Sequence, residues 1–415
     1  MTTNELLNLE AKGCFDFFWN EANTDKASTG YGLIRDNDQT PEMASIASVG
    51  FGLSAIVIGI ERGWITKEEG YERTLGTLQT FLNHVDHIEG FFFHFLEMKT
   101  GKKFDQNYDC ASIIDTSLFL NGAITSAEYF GGEVKDTYNK IYERVNWDIY
   151  YDKENNWYYM GYNEAVSEGA WSKEAGGFGA WDMYAEQLMQ YLLGVGSPTH
   201  PVPAKIYNGF ARDLVSYGGH EFYNCPGGSL FTHQFSHAWY DFKNVVDADG
   251  INWFDNSVKA SLAQHQYSTD NPKNFKTYSS LSWGTTACQG PFGYKAYGMP
   301  PLAPTAEDIQ DGTIAPQAAI GSIIFTPKES IAALEYFHNS VPELWSKYGF
   351  LNSYNLDVEE ETGEKIWVAD RVIGIDKGVT LLMIDNYQND GFIQKLYMQN
   401  EHIQNGAKLI GLTTV

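Results

Sequence analysis

From Ser45 to Glu61 the chain carries one charge, Glu61 itself, and its apolar residues fall on every face of a helix. A helix with no polar side has to be enclosed by other elements, so this segment must occupy an interior position in whatever fold forms. Gly63 follows as a C′ glycine that ends it. The neighbouring segments are amphipathic instead. Asn4 to about Asn20 sets Leu6, Leu7, Ala11, Phe15 and Phe18 on one face, and Thr66, Lys67, Glu68 and Glu69 form a capping box that opens a helix running through Leu75, Leu78 and Phe81. Further helices read at about 111–130, 133–146, 181–195, 203–216, 252–267, 328–338, 341–348 and 376–388.

Such a succession, without a short sequence repeat, can form a solenoid or a closed toroid of helical hairpins. In a solenoid most helices keep a solvated face, whereas a double ring buries its inner members nearly all round. The 45–60 helix therefore favours closure. Strand-like stretches are short and aromatic, at Gly90–Leu96 and Asn156–Met160, and read as hairpins at the mouths of helix pairs. The glycine-rich junctions Gly194–Pro201 and Cys225–Gly228 read as loops lying close to backbone or ligand. No Pro/Ser-rich linker or low-complexity run divides the chain, which predicts one domain over residues 1–415.

Composition removes several function classes. With 28 Lys and Arg against 53 Asp and Glu, the formal net charge is −25, which repels a phosphate backbone or an anionic membrane. No window approaches the roughly 20 apolar residues of a membrane helix. Met1 to Leu7 lacks the basic and apolar regions of a signal peptide, so the expected compartment is the cytoplasm as written, or the periplasm or exterior if a leader has been removed. Cys14, Cys110, Cys225 and Cys288 are widely spaced and form no CxxC, as expected of free thiols.

Four acids stand in apolar or glycine-rich surroundings: Asp115 early in a helix, Glu186 in the apolar helix at 181–195, and Asp370 and Asp376 ahead of the apolar run Val379–Ile384. Each has a structural reading as well. Asp115, Glu186 and Asp376 can cap their helices, and Asp370 can pair with Arg371. A desolvated carboxyl, however, keeps its proton to higher pH and can serve as a general acid. Carboxyls in an aromatic cleft, with no metal or cofactor motif, suit glycoside hydrolysis, in which one carboxylic acid protonates the leaving oxygen and a second carboxylate activates water or attacks the anomeric carbon. His233 and His237 stand four apart, but Gln234 replaces the glutamate of H-E-x-x-H, so hydrogen bonding to sugar hydroxyls or burial is favoured over metal binding. No nucleophile elbow surrounds Ser236, and no P-loop or dinucleotide fingerprint occurs. The acidic run from Asp357 to Thr362 reads as a solvated loop.

The stretches 44–53, 194–201, 233–242 and 374–378, together with Leu33–Asp36, Arg62–Ile65, Met98–Gly101 and Trp283–Pro291, resemble the glucoamylase-like family. Within it they look most like glycoside hydrolase family 144, the bacterial endo-β-1,2-glucanases and their sophorose-releasing relatives. The resemblance runs from about residue 15 to the C-terminus. It implies an all-α (α/α)6 barrel of about twelve helices and metal-free, cofactor-free hydrolysis of β-1,2-glucan with inversion. It places Glu186, Asp115 and Asp376 in the catalytic cleft. Arg35, Asp36, Trp171, Trp181, Tyr184, His233, His237, Trp239, Trp283 and Arg371 are the expected substrate contacts, the tryptophans as sugar platforms. Two alternatives stay open: a β-1,2-glucan transglycosylase, and an inactive glycan-binding barrel, suggested by Ala111 and Leu118 where relatives carry acids.

Overall fold

The capping signals in the sequence start helices where they stand. In the computed structural model, which describes residues 1–104, 109–165, 174–300 and 310–415, helix α1 spans Thr3–Asn20, α2 Ile46–Glu61 and α3 Lys67–Asn83. Thr66 accepts from the Glu69 N–H while the Glu69 carboxylate accepts from the Thr66 N–H, which is the expected capping box. The chain continues through α4 (Ile113–Phe130), α5 (Gly132–Glu143), α6 (Leu188–Gly196), α7 (Phe235–Trp239), α8 (Trp253–Asp270) and α9 (Pro316–Ile320). It closes with α10 (Pro327–Ser340), α11 (Glu359–Thr362), α12 (Gly374–Gln388), α13 (Phe392–Tyr397) and α14 (Glu401–Leu409). Gly63 takes the positive φ of 69° expected of a C′ glycine. The four cysteines are free and buried. Among the described residues no helix is long and apolar enough to cross a membrane.

Four local expectations give way. Residues 203–216 form only a 3-10 turn at Ala204–Asn208, after which Leu214–Tyr217 pairs antiparallel with His220–Tyr223. Gly218 and Gly219, with φ of 58° and 84°, make a two-residue hairpin turn that an ordinary residue pair resists. Residues 341–348 likewise split into a 3-10 turn at Pro342–Leu344 and a hairpin in which Trp345–Ser346 pairs with Gly349–Phe350. The helix expected from residue 181 starts only at Leu188, so Glu186 lies ahead of it. The acidic run is one helical turn, α11, ended by Gly363 in the left-handed region.

Helices α2, α4 and α12 are buried along nearly their whole length, whereas α3, α5 and α10 bury one side each. Glycine sets how closely the interior helices approach. A Cβ on Gly122 of α4 would sit 1.8 Å from the Gly50 carbonyl oxygen of α2, and one on Gly50 would sit 2.2 Å from the Leu118 carbonyl oxygen. Gly378 of α12 meets the Phe51 ring, and Gly196 of α6 meets the backbone of α14 at His402. One buried apolar cluster extends from Leu6 to Ile410, with a small second one at Phe222, Ala260 and Ala263.

Short strands run straight into the interior helices. Met43–Ser45, paired with Phe95–Glu97, leads into α2, and Ala111–Ser112, joined to Gly161–Asn163 and Gly176–Phe178, leads into α4. Ser45 and Ser112 cap the two helices from the ends of those strands. The start of α12 is held by the loop before α2: Gly374 N–H donates to the Asp36 carbonyl at 2.7 Å, and Val372 N–H to the Asp38 carboxylate at 3.0 Å. The N-termini of α2 and α12 are thereby tied, and α4 is joined to them through His94, whose carbonyl accepts the Ile46 N–H and whose N–H donates to the Cys110 carbonyl, each at 3.3 Å. Replacing Gly122 with Ala is expected to destabilise the protein by about 1–3 kcal/mol through overpacking against Gly50, despite alanine's better helix propensity, as read by denaturant titration.

Candidate active site

Asp115 occupies the first turn of α4, where the helix dipole favours an anion. Ser112 Oγ donates to its Oδ2 at 2.5 Å, and His94 Nε2 stands 2.9 Å from the same oxygen. Burial alone would raise this carboxyl. The charged imidazole and the hydrogen bonds outweigh burial and hold it below the ordinary aspartate value. The converse holds at His94, where burial disfavours the cation but Asp115, Asp109 and Asp36 together push the imidazole up to about 9. Asp109 accepts from the N–H groups of Phe95 at 2.8 Å and Cys110 at 2.9 Å, and burial lifts it to about 6. An imidazolium and an aspartate thus form an ion pair at the mouth of α4.

Glu186 sits two residues before α6 because side chains have taken over the helix's first hydrogen bonds. Gln187 accepts from the Ala185 N–H at 2.9 Å and donates to the Met183 carbonyl at 2.6 Å. From α7, Ser236 Oγ accepts the Met189 N–H at 3.2 Å and donates to the Glu186 carbonyl at 2.9 Å. Ser236 therefore caps α6 from outside and fixes the Glu186 backbone. Desolvation first, and the neighbouring Asp115 charge second, push the Glu186 carboxyl up to about 8, with His94 opposing. At neutral pH it keeps its proton.

Asp376, in the first turn of α12, is 3% exposed. Its Oδ2 accepts from Asn352 Nδ2 at 2.6 Å, and Asn352 Oδ1 in turn accepts the Gln289 N–H at 2.7 Å. Burial pushes the carboxyl up to about 7; Asn352, Lys377 and Gln317 oppose the rise and Asp36 adds to it. Asp36 is itself raised by burial, with Asp115, His94 and Arg371 among the charges it feels. Gln289 pairs across a hairpin with Tyr294, a half-exposed residue whose hydroxyl end is desolvated and feels the charges of Asp376, Asp36 and Glu186, all of which raise it. Asp376, Asp36 and Glu186 thus all lie within electrostatic reach of one phenol.

The sequence-predicted residues divide accordingly. Asp115, Glu186, Asp376, Asp36 and Arg371 come together, Arg371 also holding Asp370 at 2.8 Å as expected. Arg35 turns away to pair with Glu21. Trp239 and Trp283, expected as sugar platforms, are fully buried instead: Trp239 donates to Ser54 Oγ at 2.9 Å and Trp283 caps the Glu329 carbonyl at 3.4 Å. Trp181 is buried, and Tyr184 stacks on Trp253 with ring centroids 4.6 Å apart. Burial drives His233 and His237 down to about 3, so both are neutral; His233 packs on Tyr184 and His237 Nε2 meets Ser257 Oγ at 3.1 Å. Trp171 lies outside the described residues. Sequence reasoning missed His94, Asp109, Asn352, Gln317 and Tyr294. Only His94 carried a signal, as the one polar residue within Phe91–Phe95.

With this geometry in place, comparison with known proteins places the chain. The Glycoamylase family model, described as "Putative glucoamylase", matches residues 179–401, more than half of the sequence and including Glu186 and Asp376. The chain belongs to this family. Among curated proteins, this glycoamylase-family chain is 27% identical, over 99% of its length, to an exo β-1,2-glucooligosaccharide sophorohydrolase (non-reducing end) of Parabacteroides distasonis, and spans 58% of that relative. Among solved structures it is similar to an endo-β-1,2-glucanase from Chitinophaga pinensis in complex with sophorotriose and glucose. The TM-score is 0.85 at 26% identity, covering 100% of this chain and 99% of that one. A β-1,2-glucanase from P. distasonis gives 0.85 at 25% identity, covering 99% of this chain and 60% of that one. Asp36, His94, Asp109 and Asp115 precede the matched region, so of the acids described the family model reaches only Glu186, Asp376 and Asp370.

His94 should titrate near 9 by NMR of its imidazole protons. Its folded value lies above the ordinary 6.5, so the pair's stabilisation is complete below about 6.5 and is lost as pH rises through about 9. The difference in melting temperature between wild type and His94→Asn should accordingly be largest at about pH 6, where Asp115 is still ionised, and shrink progressively as pH rises to about 9.

Proposed function

We propose that this chain is a glycoside hydrolase of β-1,2-glucan or its oligosaccharides, acting by inversion, with Glu186 as general acid and Asp376 as general base. The observation that carries the assignment is the divergence of protonation within one acidic cluster: Glu186 is protonated, Asp115 is ionised, and Asp376 changes state near pH 7. Two carboxyls poised differently are what cleavage of a glycosidic bond by acid and base requires. Glu186 gives its proton to the departing glycosidic oxygen. Asp376 takes a proton from the water that attacks the anomeric carbon, so the C–O bond to the leaving sugar breaks as the bond to water oxygen forms. Asp115, held anionic by His94 and Ser112, raises the proton affinity of Glu186 before transfer and favours positive charge at the anomeric carbon afterwards.

The substrate class rests on the similarity to β-1,2-glucan-active proteins over essentially the whole chain. Asp36, Arg371 and Tyr294 are proposed as contacts to sugar hydroxyls beside the acids, and the chemistry needs no cofactor. The interior helices α2, α4, α6 and α12, whose N-termini carry or adjoin the cluster, are proposed as members of the inner ring of an (α/α)6 toroid. A contiguous core from Leu6 to Ile410 supports treating the chain as one catalytic domain.

Glu186→Gln should lower turnover of linear β-1,2-glucan by about 10²-fold or more while the protein stays folded, measured as release of reducing ends. Wild-type kcat/KM should be bell-shaped, rising as Asp376 ionises near 7 and falling as Glu186 ionises near 8. Proton NMR of the first products should show the α-anomer and no lengthened chains. A β-anomer would overturn inversion, and longer products would favour transglycosylation.

A further inference from the structure

Three segments that carry proposed site residues meet at Asn352, a residue 2% exposed. Its Nδ2 donates to Asp376 Oδ2 at 2.6 Å, in the first turn of α12. Its Oδ1 accepts the Gln289 N–H at 2.7 Å, on the strand Ala287–Gly290 that pairs with Gly293–Ala296 and sets Gln289 opposite Tyr294. Its own N–H donates to the Arg371 carbonyl at 3.0 Å. Ser353 holds the hairpin at a second point, its Oγ donating to the Gln289 carbonyl. Both backbone groups of Gln289 therefore face residues 352 and 353 rather than its cross-strand partner, as they do at the outward-facing positions of an antiparallel ladder.

The bond from Gln289 also decides which way the Asn352 amide points. A backbone N–H can only donate, so the end of the amide that meets it is the oxygen, and the end that meets Asp376 is always a donor. A donor on Oδ2 stabilises the carboxylate and offers nothing to a proton there, so it favours the ionised form that a general base needs.

We infer that Asn352 is the positioning residue of the proposed base, clamping Asp376 to the Tyr294 hairpin and to the Arg371 segment so that base and sugar contacts keep one relative placement. The inference rests on the reading of Asp376 as general base. It gives Asn352 two separable tasks. Donation from Nδ2 keeps Asp376 ionised toward lower pH, and acceptance at Oδ1, with Ser353 beside it, holds the hairpin in place. Small displacements of groups that orient a reaction cost rate even when they touch no reacting atom.

The two tasks are separated by Asn352→Asp and Ser353→Ala. The first keeps an oxygen for the Gln289 N–H but sets a second carboxyl against Asp376 Oδ2, whereas the second loosens the hairpin and leaves the donor on Asp376. Neither removes a titratable group facing Asp376: Asp36 from the loop before α2, Lys377 from α12, and Cys288 and the Tyr294 hydroxyl from the hairpin. On linear β-1,2-glucan, Asn352→Asp is expected to move the acidic limb of kcat/KM above 7 by about one to two pH units, lowering activity at pH 7 on the order of tenfold. Ser353→Ala is expected to raise KM roughly twofold to tenfold with the limb still near 7. Asn352→Ala, which adds no buried charge, should show both effects. An asparagine that only supported the fold would lower the melting temperature and leave the limb in place. An unmoved limb in folded Asn352→Ala or Asn352→Asp, or a limb moved as far by Ser353→Ala, would overturn the inference while an inactive Asp376→Asn left the hydrolase reading standing. Wild-type protein that released nothing from the glucan would overturn both.

Discussion

The contact on which the site depends is between two backbones, Gly50 of α2 and Gly122 of α4. With a Cβ of Gly122 only 1.8 Å from the Gly50 oxygen, no side chain fits, and the helices lie as close as their main chains allow. Such proximity fixes their relative height, and with it the levels of Ser45 and Ser112, the caps that begin them. The His94 carbonyl accepts the first N–H of α2 at 3.3 Å while its ring reaches Asp115 in the first turn of α4. The ion pair therefore spans two helix ends whose spacing is set by glycines about one turn into α2 and two to three turns into α4.

The electrostatics follow from where each acid sits relative to that pair. Asp115 has a cation and a hydroxyl directly on its oxygen and stays charged although buried. Glu186 has neither: desolvation is the main influence on it, and the negative charge of Asp115 adds to the rise. Asp376 has the Asn352 amide on one oxygen, the Gln317 amide beside it and an ammonium behind it, and its proton affinity falls between the other two. Three carboxyls of similar intrinsic acidity are thus separated by the number of donors each receives. Helix dipoles alone would have treated Asp115 and Asp376 alike, since both lie in a first turn.

The parts of this arrangement that local chemistry dictates were legible in the sequence. Uniform apolarity placed α2 in the interior, Thr66 and Glu69 started α3, and an isolated acid at the head of each apolar run marked Asp115 and Asp376. What was not legible depends on residues far apart in the chain. The helical spacing of its neighbours predicts a helical Glu186, but Ser236, 50 residues away, caps α6 and leaves the glutamate outside it. Trp239 and Trp283 were read as sugar platforms because aromatics can serve either purpose, and only packing against α2 and α10 shows that they fill the core. Asn352 and Gln317 carry no sequence signal, since an amide gains meaning only from the carboxylate it meets. The turn glycines at 218 and 219 were available and were outweighed by helical periodicity, which a hairpin of alternating exposure can imitate over a few residues.

One long-range link reaches the proposed base from behind. Lys377, adjacent to Asp376, is 5% exposed and pairs with Glu10 of α1 at 2.8 Å; Glu10 also accepts the Phe350 N–H at 2.9 Å and the Cys14 thiol at 3.3 Å. Removing one partner of so deep a pair leaves an unpaired buried charge, a loss of about 3–5 kcal/mol. The pair therefore fastens α1 to α12 near the turn that carries Asp376, and its stability depends on keeping Lys377 charged. That charge lowers the proton affinity of Asp376, which burial and Asp36 would otherwise carry higher. Glu10 sits on the first helix and Asp376 on the twelfth, yet the availability of the base near neutral pH depends on both. A lysine anchored to the first helix thus helps set the pH at which the Asp376 carboxyl changes state.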